Sequence, residues 1–359
     1  MRKFFHAIFK KIAEMLDKTD NQATNLPVPS QEMSEVIESD SQSMSHTKEE
    51  DPEVIIDDEA SLPKVVEFPK KAAQKKKTEI ISYPIIPIRD VIDLMEFPFL
   101  ALSKNRRNPI IYESLDGTKK IKITRHTGHF LASIYDWDII LVVAGKIQEI
   151  LNSSSDLPSR KIIIPRHELL KALHKQDGKK ERKDLEKSLS RLQMTGINTT
   201  VNNKDYRHRE GFGFIDSWGY LERKNDREMR TIRITLSDWL YELCCAQGSL
   251  LKSDGSYFAL TSGLKKFLYR TARKHAGKNR NGWSFTFEEL YEKSGSEREF
   301  KKFKSDLKLA IIENDIPEYI IKIIQKNNKQ VVFFNNISNI DKINQIIDKE
   351  NMMVDKKII

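Results

Sequence analysis

Residues 179–194, KKERKDLEKSLSRLQM, set how the rest of this chain is read. Leu185, Leu189 and Leu192 recur at helical spacing and give the stretch one apolar face. Lys179, Lys180, Arg182, Lys183, Lys187 and Arg191 occupy the remainder. Gly196 stands where a glycine ends a helix. Upstream, residues 137–151 (WDIILVVAGKIQEIL) are apolar enough for a buried helix, and 162–164 read as a short strand. Pro165 opens a second helix over 166–174, because proline is tolerated in a first helical turn, and Asp177 and Gly178 make the turn into the third. Downstream, 197–201, 212–221 and 229–235 alternate like strands. Residues 202–209 (NNKDYRHR), which include Arg207 and Arg209, form a basic tip between the first two of these.

The pattern occurs a second time. Residues 257–276 (YFALTSGLKKFLYRTARKHA) predict a helix with Leu260, Leu264, Phe267 and Leu268 inward. A short helix over 287–293, a turn at Ser294 and Gly295, and a third helix over 297–313 follow. In that last helix Phe300, Phe303, Leu307, Ala310 and Ile311 face the core. Arg298, Lys301, Lys302, Lys304, Ser305 and Lys308 face outward. Strands over 320–324 and 331–334 make a hairpin whose tip lies between Lys326 and Lys329. Each copy reads as a winged helix-turn-helix, in which the third helix enters the DNA major groove and the hairpin touches the backbone. The fold class expected is therefore α+β, as tandem winged helix-turn-helix domains over 90–250 and 251–340.

The charge agrees with a polyanionic partner. Lys plus Arg is 61 against 52 Asp plus Glu, a net charge of +9. Lysines reaching phosphates supply affinity and salt dependence, whereas base edges are read by arginine on guanine or by Asn and Gln on adenine. Arg182, Arg191 and Arg298 are accordingly the candidate base readers. Lys179, Lys180, Lys301, Lys302 and Lys304 are the candidate phosphate contacts.

Outside the repeats, residues 1–18 (beginning MRKFFHAIFKKIAEML) place Phe5, Ile8, Phe9, Ile12, Met15 and Leu16 at helical spacing, with Lys3, Lys10, Lys11 and Glu14 on the other face. Docking on a partner protein, lying in a membrane interface and packing on the chain's own domains are three readings of this helix. Residues 19–80 are a disordered linker, poor in apolar periodicity, acidic at its middle and basic at its end, and 341–359 are a C-terminal tail. No run approaches the roughly 20 apolar residues of a membrane span, so a cytoplasmic protein is expected. The adjacent Cys244 and Cys245 fit neither a mutual disulfide nor a metal-ligand spacing, and no metal or cofactor is expected. A phosphate-binding P-loop, a zinc-protease motif, a serine-hydrolase elbow and the paired histidines of a rolling-circle nickase are all missing, which leaves no enzymatic activity to expect.

Two stretches carry a resemblance. Residues 93–99 (DLMEFPF) with Leu102, Ser103 and Lys104, and then 134–139 (IYDWDI), resemble the replication initiator protein A family of bacterial plasmids, over about 90–324. The resemblance implies an initiator that binds repeated double-stranded sites (iterons) at a plasmid origin. It would help melt adjacent AT-rich DNA and recruit a host replication initiator and helicase. It also implies, by analogy, self-association to a dimer, and it brings no catalytic motif with it. A winged-helix transcriptional regulator or autorepressor with no part in initiation is the alternative. Direct repeats beside an AT-rich tract would favour the first, and a single palindrome over a promoter the second.

Overall fold

The computed structural model describes residues 87–339, apart from 115, 154–156, 203–206, 223–228, 280 and 327. The expected N-terminal helix, the linker and the C-terminal tail lie outside the described residues. The described residues begin with β1 (Arg89–Val91) and a single 3-10 turn (Ile92–Met95). The hairpin β2 (Ile110–Glu113) and β3 (Lys119–Arg125) follows. Next comes α1 (Trp137–Ser153), whose first eight residues are all buried; a helix apolar all round has no solvent face to keep. Then come β4 (Lys161–Pro165), α2 (Arg166–Ala172) and α3 (Lys179–Gln193). Four strands follow in succession: β5 (Thr195–Asn202), β6 (Arg207–Gly213), β7 (Ile215–Glu222) and β8 (Met229–Leu236). The short α4 (Asp238–Cys245) is capped by the Ser237 hydroxyl, which accepts from the Leu240 N–H, and it leads to β9 (Leu250–Lys252). The second repeat holds α5 (Gly263–His275), β10 (Trp283–Phe285), α6 (Phe287–Ser294), α7 (Phe300–Glu313), β11 (Tyr319–Lys326) and β12 (Lys329–Asn336).

This is a mixed α and β protein in which the sequence repeat is a repeat of topology. Each copy runs long helix, strand, two helices, hairpin. The sheets they build have the same order, β4-β8-β7 in the first and β10-β12-β11 in the second, all antiparallel. In both, the strand that precedes the helix pair lies at the sheet edge beside the second strand of the hairpin.

The first copy carries an additional hairpin, and it corrects the reading of residues 202–209. That tip belongs to β5 and β6, which pair with β2 and β3 in a four-stranded sheet ordered β2-β3-β5-β6. Arg207 and Arg209 therefore lie on β6, outside the three-stranded sheet. The hairpin that completes that sheet is β7–β8. The expected single strand over 212–221 breaks at Phe214, whose fully buried ring packs 5.4 Å from that of Trp137, so the chain changes sheet there. The expected helix over 257–276 divides as well. A 3-10 turn (Gly255–Ala259) precedes α5, which starts only at Gly263. There the backbone lies so close to the Leu102 carbonyl that a Cβ would stand 2.1 Å from its oxygen.

The described residues fall in one compact unit, and a single apolar core, including Trp137, Leu189, Tyr257, Leu268, Phe287 and Phe334, runs through both copies. The expected boundary between residues 250 and 251 falls inside β9, which pairs with β1. Buried charge also joins the copies. Arg270 on α5 donates to both oxygens of Asp90 at 2.6 and 3.1 Å, and the Trp137 indole donates to the same carboxylate at 2.9 Å. The Lys266 ammonium donates to both oxygens of Asp138 on α1, each at 3.0 Å. Burial pushes the Asp138 carboxyl up and the Lys266 ammonium down. Desolvation offsets much of such a pair's attraction, so its main effect is to fix orientation.

Candidate nucleic-acid interface

In the first copy, α3 buries Leu185, Leu189 and Leu192 and leaves Lys179, Lys180, Lys183 and Lys187 exposed. Lys180, Lys183 and Lys187 recur at three and four residues, so they share the face opposite the leucines. The turn before the helix is held by Asp177, which accepts from Arg166 at 2.7 Å and lies 3.9 Å from the half-buried Arg182. Arg191 corrects an expectation. Its guanidinium is bound bidentately to Asp136, at 2.6 and 2.9 Å, and Asp136 is fully buried. Burial alone would lower the Arg191 pKa, but the hydrogen bonds and charge of Asp136 outweigh it and raise the value. Asp136 also accepts from the Ser133 amide and hydroxyl, each at 2.8 Å. Arg191 is thus held by a buried carboxylate of its own chain.

In the second copy, α6 starts with a complete capping box. The Thr286 hydroxyl accepts from the Glu289 N–H at 3.1 Å, and the Glu289 carboxylate accepts from the Thr286 N–H at 2.7 Å. It ends at Gly295 with φ of 57°, where a Cβ would stand 2.7 Å from Pro98 Cβ. Arg106 holds the following turn through the Gly295 and Pro109 carbonyls. The helix α7 begins at Phe300 rather than 297, so Arg298 lies in the turn before it, paired with Asp306 at 2.8 Å. Phe303, Leu307, Ala310 and Ile311 are buried, while Lys301, Lys302 and Ser305 are exposed. Lys302 reaches back to Glu299 at 3.2 Å. Lys304 and Lys308 are half-buried, with their ammonium groups 4.5 and 6.0 Å from the centre of the Phe287 ring. The same outward face ends in two apolar side chains absent from the expected site, Leu309 at 58% and Ile312 at 78% exposure. Lys326 and Lys329 are exposed where β11 and β12 close, across from one another in the ladder.

The family model for replication initiator protein A matches residues 89–321, which takes in both helix pairs and stops at the start of β11. The chain belongs to that family. A candidate replication protein of Wigglesworthia glossinidia brevipalpis is 31% identical to this initiator over 261 residues, covering 70% of this chain and 93% of that one. Among solved structures, the crystal structure of domains 2 and 3 of RctB superposes with a TM-score of 0.50 at 14% identity. It covers 68% of this chain and 96% of that chain, a likeness of fold.

In this initiator the residues that carried the resemblance prove to be structural. Asp136, Trp137 and Asp138 bind Arg191, Asp90 and Lys266 in turn. Glu96 gathers Lys274 and Lys293 around its carboxylate. Sequence reasoning missed these buried acids, yet a signal was present. Two aspartates flanking a tryptophan at the head of an otherwise apolar helix must be paired if they are buried. Among the described residues no helix is long and apolar enough to cross a membrane.

Proposed function

We propose that the two copies are winged helix-turn-helix domains, with α3 and α7 presented to the major groove and the β7–β8 and β11–β12 hairpins as wings. The protein would bind repeated duplex sites at a plasmid origin, favour separation of the adjacent AT-rich DNA, and bring in a host initiator and helicase. It would do so in the cytoplasm, without enzymatic chemistry of its own. The observation that carries this reading is the coincidence of topology with charge. In each copy the last helix of the pair buries its apolar face, turns lysines outward and is followed by a hairpin. Membership of the initiator family supplies the replication context.

With Arg191 committed to Asp136, affinity in the first copy rests on the lysines of α3, which act on phosphates. Arg182 and Arg298 remain as candidate base readers. On α7, the exposed Leu309 and Ile312 would meet thymine methyl groups, the feature that marks an AT pair in the major groove. Melting follows from binding, because several copies bending the duplex strain its flexible pyrimidine–purine steps most.

The test is binding of the purified chain to duplex flanking its own gene, against a scrambled duplex, across a salt series. Tight binding to a repeat-bearing fragment that persists at moderate salt is the expected result. Weak binding, equal on both duplexes and lost with salt, would refute it.

A further inference from the structure

The four-stranded sheet β2-β3-β5-β6 belongs to neither proposed wing, and its two faces differ sharply. One face is core: Ile110, Ile121, Ile123 and Ile197 are buried. On the other face the register places Lys122, Asn198 and Gly211 in one row across β3, β5 and β6, and Lys120, Thr200 and Arg209 in the next. Arg207 lies two residues beyond Arg209 on β6 and so on the same face. Lys120, Lys122, Arg207 and Arg209 are all exposed. Residues two apart on a strand are separated by about 6.8 Å, and β3 and β6, with β5 between them, by about 9.6 Å. The four cations therefore form a diagonal stripe, from Lys122 through Lys120 and Arg209 to Arg207, on the order of 17 Å long.

Lys120 pairs with Glu113 at 2.7 Å, whereas Lys122, Arg207 and Arg209 have no ion-pair partner among the described residues. On the helices, by contrast, Arg191, Arg298 and Lys302 each hold a carboxylate of their own chain. The sheet is low at and beyond the Lys122 end of the stripe: Gly211 faces Asn198 in the row of Lys122, and Gly196 faces Gly213 in the row after it. At Gly211 an added Cβ would meet only the Asn198 side chain at 3.3 Å and a backbone oxygen at 4.0 Å.

We propose that this sheet face is a third nucleic-acid contact, a track for the sugar–phosphate backbone of duplex DNA, separate from the two recognition helices. A row of four exposed cations, three of them without an ion-pair partner among the described residues, matches a row of phosphates. The described residues of this face include no aromatic side chain on which unstacked bases could lie, which favours duplex over single strands. The inference rests on the DNA-binding reading above. It adds that part of the affinity comes from a surface that reads no sequence.

The experiment uses the full chain with Lys122, Arg207 and Arg209 all changed to glutamine, and each single change as a second set. The logarithm of affinity falls with the logarithm of salt at about 0.9 per phosphate contact on duplex DNA. The triple variant should thus lose about 2.7 from that slope, and each single variant about 0.9. Between 50 and 200 mM salt the wild type should then lose roughly 40-fold more affinity than the triple variant. The preference for repeat-bearing over scrambled duplex should stay as it was. An unchanged slope in variants with wild-type circular dichroism overturns the proposal and leaves the stripe a solvated face. A change in sedimentation without a change in slope overturns it in favour of contact with a second copy. If the triple variant fails to fold, the single variants decide by the same slope. Wild-type protein that binds neither duplex would sink the DNA-binding reading itself, an outcome separable from loss of the stripe alone.

Discussion

Arg191 shows how far one side chain's role can depend on distant sequence. Within α3 it looks like any other cation of a basic helix, but its partner Asp136 lies 55 residues earlier in the chain. Asp136 is fully buried and Arg191 is 14% exposed, so breaking the pair leaves a charge in the core without compensation. Loss of one member of such a pair typically costs about 3–5 kcal/mol. Arg191→Ala and Asp136→Ala should each lower the unfolding free energy measured in urea by an amount of that order. The double variant should lose less than the sum of the two, because the residues share one interaction. Unchanged stability for Arg191→Ala, with a loss of sequence discrimination, would return Arg191 to the DNA. Arg298 is the contrasting case. It pairs with Asp306 at 59% exposure, in a surface ion pair that contributes little and can exchange its carboxylate for another partner.

At the scale of elements, α5 and α6 meet around Glu96. Burial alone would raise its carboxyl, but Lys274 and Lys293 hold it down at about 2, below the usual 4.5. A depressed carboxylate contributes stability that is present above its unfolded pKa and is lost as pH falls toward the folded value. For Glu96 that window runs from about 4.5 to about 2, and its size is on the order of 3 kcal/mol. His275 on α5 is pushed down to about 4, mainly by burial, so the folded state keeps it neutral. The unfolded chain gains its proton near 6.5, so this contribution is lost earlier, as pH falls from about 6.5 to about 4. Stability measured against pH should therefore decline in two steps. Glu96→Gln should remove the lower step, and His275→Gln should flatten the upper one; a profile unaltered by Glu96→Gln would refute the assignment. The helices at this junction were legible in the sequence because their apolar spacing is local. The hairpins were legible as strands but not as partners. The hairpin that completes the first three-stranded sheet was misplaced because nothing within residues 195–213 says that β5 pairs with β3, whereas β7–β8 completes the sheet with β4. Strand pairing is settled by the sheet the chain folds against, and the burial of Phe214 that switches sheets depends on Trp137, far upstream.

Across the whole molecule, the Asp90–Arg270 and Asp138–Lys266 pairs, the β1–β9 ladder and the continuous core bind the two copies into one body. Two domains on a loose tether could follow sites moved apart along the duplex, because a flexible linker has reach to spare. Two domains packed through a shared core cannot. If each copy takes one half of a repeat, the spacing tolerated between the two half-sites is thus a test of the fold as well as of the proposed function. Inserting about 5 base pairs between them rotates one half-site by roughly half a helical turn and should abolish the two-site affinity, leaving what one copy binds alone. Inserting about 10 base pairs restores the rotational phase but adds on the order of 34 Å, and a body joined by buried ion pairs should fail to regain the affinity. Recovery at the longer insertion would mean that the copies separate on DNA. Arg270→Met with Lys266→Met should then show which contacts resist that separation. If those side chains bolt α5 to its neighbours, the double variant should bind the longer site better than the wild type does. Its tryptophan fluorescence, with Trp283 in one copy and Trp137, Trp218 and Trp239 in the other, should melt in two steps where the wild type melts in one.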